Sequence, residues 1–293
     1  MIDASSGFIG LFTEIGTGAD ISNLTLSDFN ISGDIYVGAL AGAIKHRQNV
    51  TIQGINLTSA SVSGLHAGGL IGNISDSQNI LIEDIYKTNM TILGVNPVGG
   101  ILGSVVSNSI LTIRNITSLD LMISGNMDIG GMIGFINNST VDILHINQRA
   151  DIVSTSSSNS NIGGIVGDIN TGSKVTLDQV THRGIVSGAG LNVGGVMGSI
   201  ESANASVTIT AIEITNSHVQ GSDNVGGILG LIEGTSEGSS RLIGTGITIG
   251  VTQITASGHF IGTLVGQVKI ANAAFDVPTI ISPKQSLKLF GSS

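Results

Sequence analysis

The chain has 293 residues, a formal charge of −9, no Cys, no Trp and 3% aromatic residues. The acidic balance, with 11 scattered Lys and Arg, argues against nucleic acid as a partner, and the lack of Cys excludes disulfides and thiol catalysis. Mean hydropathy is +0.41, yet Gly, Ser, Asn or Asp interrupts each apolar run well short of the ~18 to 20 residues of a spanning helix, so no membrane span is expected.

A six-residue block rich in Gly recurs along the chain. Its clearest copies are Ala67–Gly72, Val98–Gly103, Ile129–Gly134, Ile162–Gly167, Val193–Gly198 and Val225–Gly230, with weaker copies at Val37–Gly42 and Ile261–Gly266 and a degenerate first copy at 9–13. Aligned on their last positions, successive copies are 29 to 36 residues apart. A nearly constant interval over nine copies is typical of a repeat architecture.

Each period contains three short β-like segments. The Gly block is the first, an alternating segment such as Val50–Ile52 is the second, and a segment ending in a turn, such as Val62–Gly64, is the third. One coil cannot bury its apolar side alone, so coils stack in parallel at ~4.8 Å. The pattern predicts an all-β parallel β-helix, or β-solenoid, of about eight to nine coils of ~31 residues with three short strands per coil. We expect the solenoid to occupy residues 1–268 and a C-terminal tail or cap to occupy 269–293.

At these Gly blocks, and in the opening Gly7–Phe12, the chain resembles the GLUG-motif repeat proteins over roughly residues 7–268. The resemblance implies a surface-exposed β-solenoid of the kind used as a bacterial stalk or adhesive region. Some members of that family carry a metallopeptidase elsewhere in their chains. None of the six His here is followed by Glu, so the His-Glu-x-x-His zinc motif is absent and this activity is not implied.

These features predict a non-enzymatic extracellular or cell-surface module with structural and adhesive roles, including self-assembly into fibres or stalks. The expected partners are other copies of the chain, surface proteins or glycans, and no cofactor is expected. The N-terminus has no basic region followed by a long apolar region, so no signal peptide is predicted on this chain. Since no N-terminal cap is evident, we expect the chain either to be a fragment or to stack on another copy.

Each Gly block contains two successive apolar residues, and the sequence alone does not decide whether both side chains face inward. In a straight strand one of the two must face outward, whereas a corner at the Gly turns both inward, which is the favoured interpretation. The outward alternative predicts an apolar ladder for lateral assembly. Its candidate residues are Leu70, Ile101, Met132, Ile165, Val196 and Ile228.

A Thr column is the basis of an ice-binding alternative. Its candidates share one predicted outward position: Thr51, Thr112, Thr176, Thr208 and Thr248. Leu81 and Asp142 interrupt the column, and the neighbouring outward position is not uniform. Thr is also a good exposed strand residue in its own right.

A polysaccharide-binding or polysaccharide-cleaving β-helix is a further alternative, and it requires clustered carboxylates. The acidic residues considered fall at different points of their coils: Glu83, Asp142, Asp168, Asp178 and Glu201. The six His are also dispersed and are predicted to be solvated. Gly234–Gly238 has the spacing of a nucleophile elbow and Gly167–Lys174 that of a phosphate loop, but neither leads into a helix, so both are interpreted as turns.

Overall fold

The computed structural model describes residues 2–4, 7–156, 160–235, 238–250, 253–269 and 289–290. Within these ranges the regular elements are all β-strands, and the paired strands run parallel. Partners in neighbouring strands are roughly 31 residues apart, giving a β-solenoid of about 8 turns. The predicted fold class is therefore confirmed.

Three parallel sheets form the walls of the solenoid. Sheet A consists of Ile2–Ala4, Asp20–Ser22, Thr25–Ser27, Asn30–Gly33, Gln48–Gly64, Gln78–Gly94, Ile110–Gly125, Thr140–Ser154, Lys174–Ser187, Ser206–Gly221, Arg241–Thr245, Thr248–Gly250, Gln253–Ala256 and Leu289–Phe290. Sheet B consists of Phe8–Ile9, Tyr36–Gly38, His66–Gly68, Val98–Gly99, Ile129–Gly130, Asn161–Gly163, Asn192–Gly194, Asn224–Gly226 and Phe260–Gly262. Sheet C consists of Phe12–Glu14, Ala41–Lys45, Ile71–Ser75, Leu102–Val106, Ile133–Ile136, Val166–Ile169, Met197–Ile200, Leu229–Glu233 and Val265–Lys269.

The three segments predicted in each coil are grouped differently in the structure. The alternating segment and the turn-ending segment belong to one long strand of sheet A, while the Gly block divides into one strand of sheet B and one of sheet C. Left-handed residues such as Asp84 (φ 54) and Asn89 (φ 53) bend the long strand Gln78–Gly94 without ending it. Asp and Asn tolerate this conformation better than most residues do.

The interior is filled by columns of apolar side chains that stack from coil to coil. In sheet A, Ile52 pairs with Ile82, which pairs in turn with Ile113, and all three are fully buried. This burial accounts for the high hydropathy of the chain without a membrane. Among the described residues, no helix is long and apolar enough to cross a bilayer.

The Gly block forms a corner because two backbones approach closely there. A Cβ added at Gly163 would lie 1.9 Å from the carbonyl oxygen of Val166, in the sheet C strand of the same coil. The corner turns both following side chains inward. The six ladder candidates are all 0% exposed: Leu70, Ile101, Met132, Ile165, Val196 and Ile228. The outward alternative is therefore wrong for these residues, and they belong to the core.

The Thr column is correct for four of its five members. Thr51, Leu81, Thr112, Asp142, Thr176 and Thr208 succeed one another in register, with Leu81 and Asp142 interrupting as expected. Thr208 then pairs with Ile243, whereas Thr248 pairs with Glu213 one segment further along. Thr248 was misplaced because the last coil is longer than the others. The resulting face is not the regular Thr array that ice binding needs.

The predicted tail lies largely outside the described residues, including its 275–283 stretch. Within 269–293, Leu289–Phe290 pairs in parallel with sheet A through Ile254 and Thr255. The segment 233–240, which is rich in Ser and Gly, is described except for residues 236–237, and it contains an isolated antiparallel bridge between Thr235 and Gly238. The serine-rich insertion at 154–160 is described except for 157–159.

Candidate functional site

The corner at each Gly block leaves a groove between sheets B and C, here called the B–C groove. Its B wall is a column at the start of the sheet B strands: Tyr36, His66, Asp128, Asn161, Asn192 and Asn224. Its C wall is a column in sheet C: Asn73, Ser104, Phe135, Asp168, Ser199 and Leu231. Two glutamates extend this wall, Glu201 two residues after Ser199 and Glu233 two residues after Leu231. Recesses of about 290 Å³ and 350 Å³ are lined by both walls.

An amide ladder follows the B wall. Asn224 donates from Nδ2 to Asn192 Oδ1 (2.7 Å), Asn192 to Asn161 Oδ1 (2.8 Å), and Asn161 to Asp128 Oδ1 (2.9 Å). The ladder fixes the orientation of each amide, so each carbonyl oxygen except the last is already satisfied. Among the described residues, the Oδ1 atom of Asn224 has no hydrogen-bond partner, although Asn224 is only 4% exposed.

Three carboxyl groups approach one another where the two walls face. Burial raises the pKa of Asp168 to about 8, and the neighbouring Asp128 and Glu201 add to the rise. Burial also raises the pKa of Asp128, and it raises the pKa of Glu201 with a further contribution from Glu233. Glu201 accepts a hydrogen bond from Asn192 Nδ2 (3.2 Å), which links the C wall to the amide ladder.

This cluster corrects the expectation that acidic residues do not gather. Asp168 and Glu201 do occupy different points of their coils, but the corner brings both beside Asp128 on the opposite wall. A signal was present in the sequence, because the residue just before the block is Asp or Asn in four successive coils: Asp128, Asn161, Asn192 and Asn224. Glu83, Asp142 and Asp178 lie elsewhere, on the outward-facing side of sheet A.

The groove does not have the geometry of a metal centre. Within the described part of the chain, no three His, Cys, Asp or Glu side chains are placed to hold a metal ion. The carboxyl cluster is instead linked to amides and to the hydroxyl of Ser199, which donates to Asp168 Oδ1. Its chemistry is that of hydrogen-bond donors and acceptors aimed at a ligand.

An apolar rim borders the B wall on its outer side. It consists of large side chains that are 37% to 43% exposed: Ile35, Leu65, Val95, Met127 and Leu191. At the N-terminal end of the groove, the rings of Phe8, Tyr36 and His66 stack on one another, with the Tyr36 and His66 centroids 4.7 Å apart. The chain therefore does expose a row of apolar side chains, but these residues precede the Gly blocks and do not belong to them.

Polar side chains also form a column inside the solenoid. One of them is His182, for which the prediction of a solvated side chain is wrong. Lys87, Ser118, Gln148 and His182 succeed one another in register and are 0% exposed. Lys87 Nζ donates to Gly100 O (2.6 Å), and Gln148 Nε2 donates to Gly164 O (2.7 Å) and lies 3.2 Å from His182 Nδ1. Lys87 and Gln148 thus satisfy carbonyl groups that the glycine corner turns inward. Burial lowers the pKa of His182 to about 3, so it is neutral and structural.

Lys87 gives a testable linkage between pH and stability. Burial lowers its pKa from 10.5 to about 7, so between these values the unfolded chain binds a proton that the folded chain does not. The free energy of unfolding should then rise with pH across this window, by about 1.4 kcal/mol per pH unit at most. Lys87→Met should abolish this rise in urea unfolding at pH 7 to 10, whereas exposed Lys174→Met should retain it. An unchanged slope in Lys87→Met would contradict the assignment.

A separate recess, of about 430 Å³, lies outside the B–C groove, on the outer side of sheet A at a register shift between neighbouring strands. Arg149 and Arg183 line it, but Arg149 is paired with Asp120 and Arg183 donates to Asn147 Oδ1 (3.1 Å). Since both guanidinium groups already have acceptors, the B–C groove is the stronger candidate site.

Comparison with known proteins adds little beyond the fold. No family model matches the chain, and no curated protein matches it. One solved structure aligns with it: a protein from Bacteroides ovatus for which an immunoglobulin A1 protease activity has been suggested. The alignment has 18% identity and a TM-score of 0.41, and covers 92% of this chain and 67% of the other. This similarity is too low to transfer any activity. The structure therefore establishes a β-solenoid, and its described residues include a polar groove between sheets B and C.

Proposed function

We propose that this chain is a non-enzymatic structural and adhesive module of the cell surface or extracellular space. The observation that carries the proposal is the uninterrupted stacking of sheet B from Phe8–Ile9 to Phe260–Gly262. Each coil is held by the next, which makes a stiff element suited to present a surface away from its point of attachment. The resemblance of the Gly blocks to the GLUG-motif repeats supports the same role.

Adhesion under flow tests this proposal. Beads coated with the purified chain should be retained on glass bearing polysaccharide, mucin or extracellular-matrix protein, while albumin-coated beads should wash off. Retention no greater than that of albumin on all three surfaces would contradict the adhesive role.

Self-association is the second component of the proposed role, and electron microscopy tests it separately. Negative staining of the chain at micromolar concentration should show end-to-end stacks, accompanied by increased light scattering. Discrete single particles at every concentration would remove self-association from the proposal and leave adhesion standing. The six ladder candidates are buried, so the expected self-association does not involve them.

Polysaccharide cleavage is a second candidate function, favoured by the carboxyl groups of Asp128, Asp168 and Glu201 in one groove. A carboxyl group that burial keeps protonated is one element of general acid catalysis at glycosidic bonds. Reducing ends released from a bound polysaccharide, and lost in Glu201→Gln, would favour this candidate over the non-enzymatic role.

A further inference from the structure

We propose that the B–C groove binds a neutral glycan chain lying along the solenoid axis, held by Glu201, Asn224 and the apolar rim. The inference rests on the proposed adhesive function and names the class of ligand that would carry it.

The first step concerns the end of the amide ladder. Asn224 pairs in register with Phe260 of the next coil, which has no side-chain donor. The ladder therefore stops there, and the Oδ1 atom of Asn224 has no partner within the part of the chain that the structure describes. This oxygen is at the recess of about 350 Å³ that Asn192 and Glu201 also line. A buried acceptor left unpaired is costly and requires an explanation. A ligand hydroxyl at this place would supply the missing donor.

The second step concerns the charge of the ligand. The recess of about 350 Å³ is lined by Glu201, Glu233 and Lys269, and Glu233 is paired with Lys269 (3.8 Å). Burial raises the pKa of Glu201, and it raises the pKa of the neighbouring Asp168 to about 8, so that Asp168 is mainly protonated at neutral pH. The groove therefore presents little unpaired charge of either sign to a ligand. The groove therefore favours a neutral ligand over either charged class.

The third step concerns the apolar part of the ligand. Met127 and Leu191 are both 37% exposed and line the same recess as Asn192 and Asn224. A pyranose ring has polar edges and apolar C–H faces, so it matches a recess in which an apolar rim adjoins a few fixed polar groups. Apolar rim positions recur in Ile35, Leu65 and Val95 of earlier coils.

The fourth step concerns the length of the ligand. Equivalent positions on successive coils are separated by the strand spacing of ~4.8 Å, so donors, acceptors and rim side chains repeat along the axis. An extended polymer meets this repeated set in several coils at once, and a single sugar meets one. Affinity should then increase with the number of sugar units, as in other multivalent contacts.

Calorimetric titration of the purified chain with neutral hexasaccharides tests the proposal, using β-1,4-linked glucose, mannose and xylose chains as probes. At least one should bind, and its disaccharide should bind more weakly. Glu201→Gln and Asn224→Ala should each weaken binding about tenfold, the loss of roughly one net hydrogen bond. Glu213→Gln, on the outer side of sheet A, is the matched control and should leave affinity unchanged.

Asn224→Ala also removes the donor to Asn192, so circular dichroism and a melting curve must first show that it folds. The double variant Met127→Ser with Leu191→Ser tests the exposed rim independently and should likewise weaken binding about tenfold or more. The proposal is overturned by absence of binding to all neutral probes at millimolar concentration, or by equal affinity in all variants. It is also overturned by tighter binding of calcium alone, oligolysine or oligogalacturonate.

These outcomes separate the inference from the function on which it rests. Beads that adhere equally with and without the groove substitutions would leave the adhesive role standing and reject the groove as its site. Glycan binding in solution by a chain whose beads do not adhere would support the groove and reject the adhesive role. Cleavage of a bound hexasaccharide would support the ligand class and reject the non-enzymatic role.

Discussion

Replacing Gly163 by Ala should destabilise the protein by about 4 kcal/mol or more, or prevent folding, although the change adds one methyl group. The added Cβ would lie 1.9 Å from Val166 O, and 2.8 Å from Gly198 N of the next coil. Both neighbours are backbone atoms in paired strands, so neither can move without breaking sheet hydrogen bonds. The penalty is therefore steric, and it falls on the corner that creates the B–C groove.

Gly16→Ala is the matched control for this prediction. A Cβ at Gly16 meets nothing within 4 Å, so urea unfolding should show almost no change in the free energy of unfolding. Comparable stability of Gly163→Ala and Gly16→Ala would contradict the close-approach explanation. It would mean instead that the corner has room for a side chain.

The fold could be predicted from the sequence because the same apolar pattern recurs in successive coils. Positions such as Ile52, Ile82 and Ile113 recur at one interval, and only stacked coils place them in a common core. The corner at the Gly block was the favoured of two interpretations, because Gly readily adopts the conformations that a corner needs, and the burial of both apolar residues decides between them. Thr248 was misplaced because the longer last interval shifts its register, which an alignment on local pattern does not detect.

The groove was harder to predict because it depends on the angle between two sheets. Asp128 and Asp168 are 40 positions apart in the sequence and in different columns, and their approach requires the corner geometry. The same limit applies to Lys87 and His182, which occupy a column whose other members are apolar in several coils, such as Leu57 and Ile214. Local alternation shows that this position faces inward, but it does not show which carbonyl group the side chain reaches.

The carboxyl cluster should contribute more to the stability of the protein in acid than at mildly alkaline pH. The pKa of Asp168 rises from 3.8 in the unfolded chain to about 8 in the folded one, so between these values the folded state holds a proton that the unfolded state has lost. The stabilisation is complete below pH 3.8 and is lost as pH rises towards 8. At 1.36 kcal/mol per unit, its upper bound is about 6 kcal/mol. This direction is opposite to that of an ion-paired surface carboxylate.

Asp168→Asn should remove most of this dependence, because a neutral amide resembles the protonated carboxyl group and its Oδ1 can still accept from Ser199. The variant should match the original chain at pH 4 and exceed its melting temperature at pH 8.5. A smaller residual slope should remain, since burial also raises the pKa of Asp128 and of Glu201. Asp142→Asn, on the outer side of sheet A, should leave the whole pH profile unchanged. Buried His182 adds an opposite rise in stability with pH, so the test is the difference between the variant and the original chain. If Asp168→Asn gained no stability over the original chain between pH 4 and pH 8.5, the carboxyl group would be ionised in the folded state, and the preference for neutral ligands would lose its electrostatic basis.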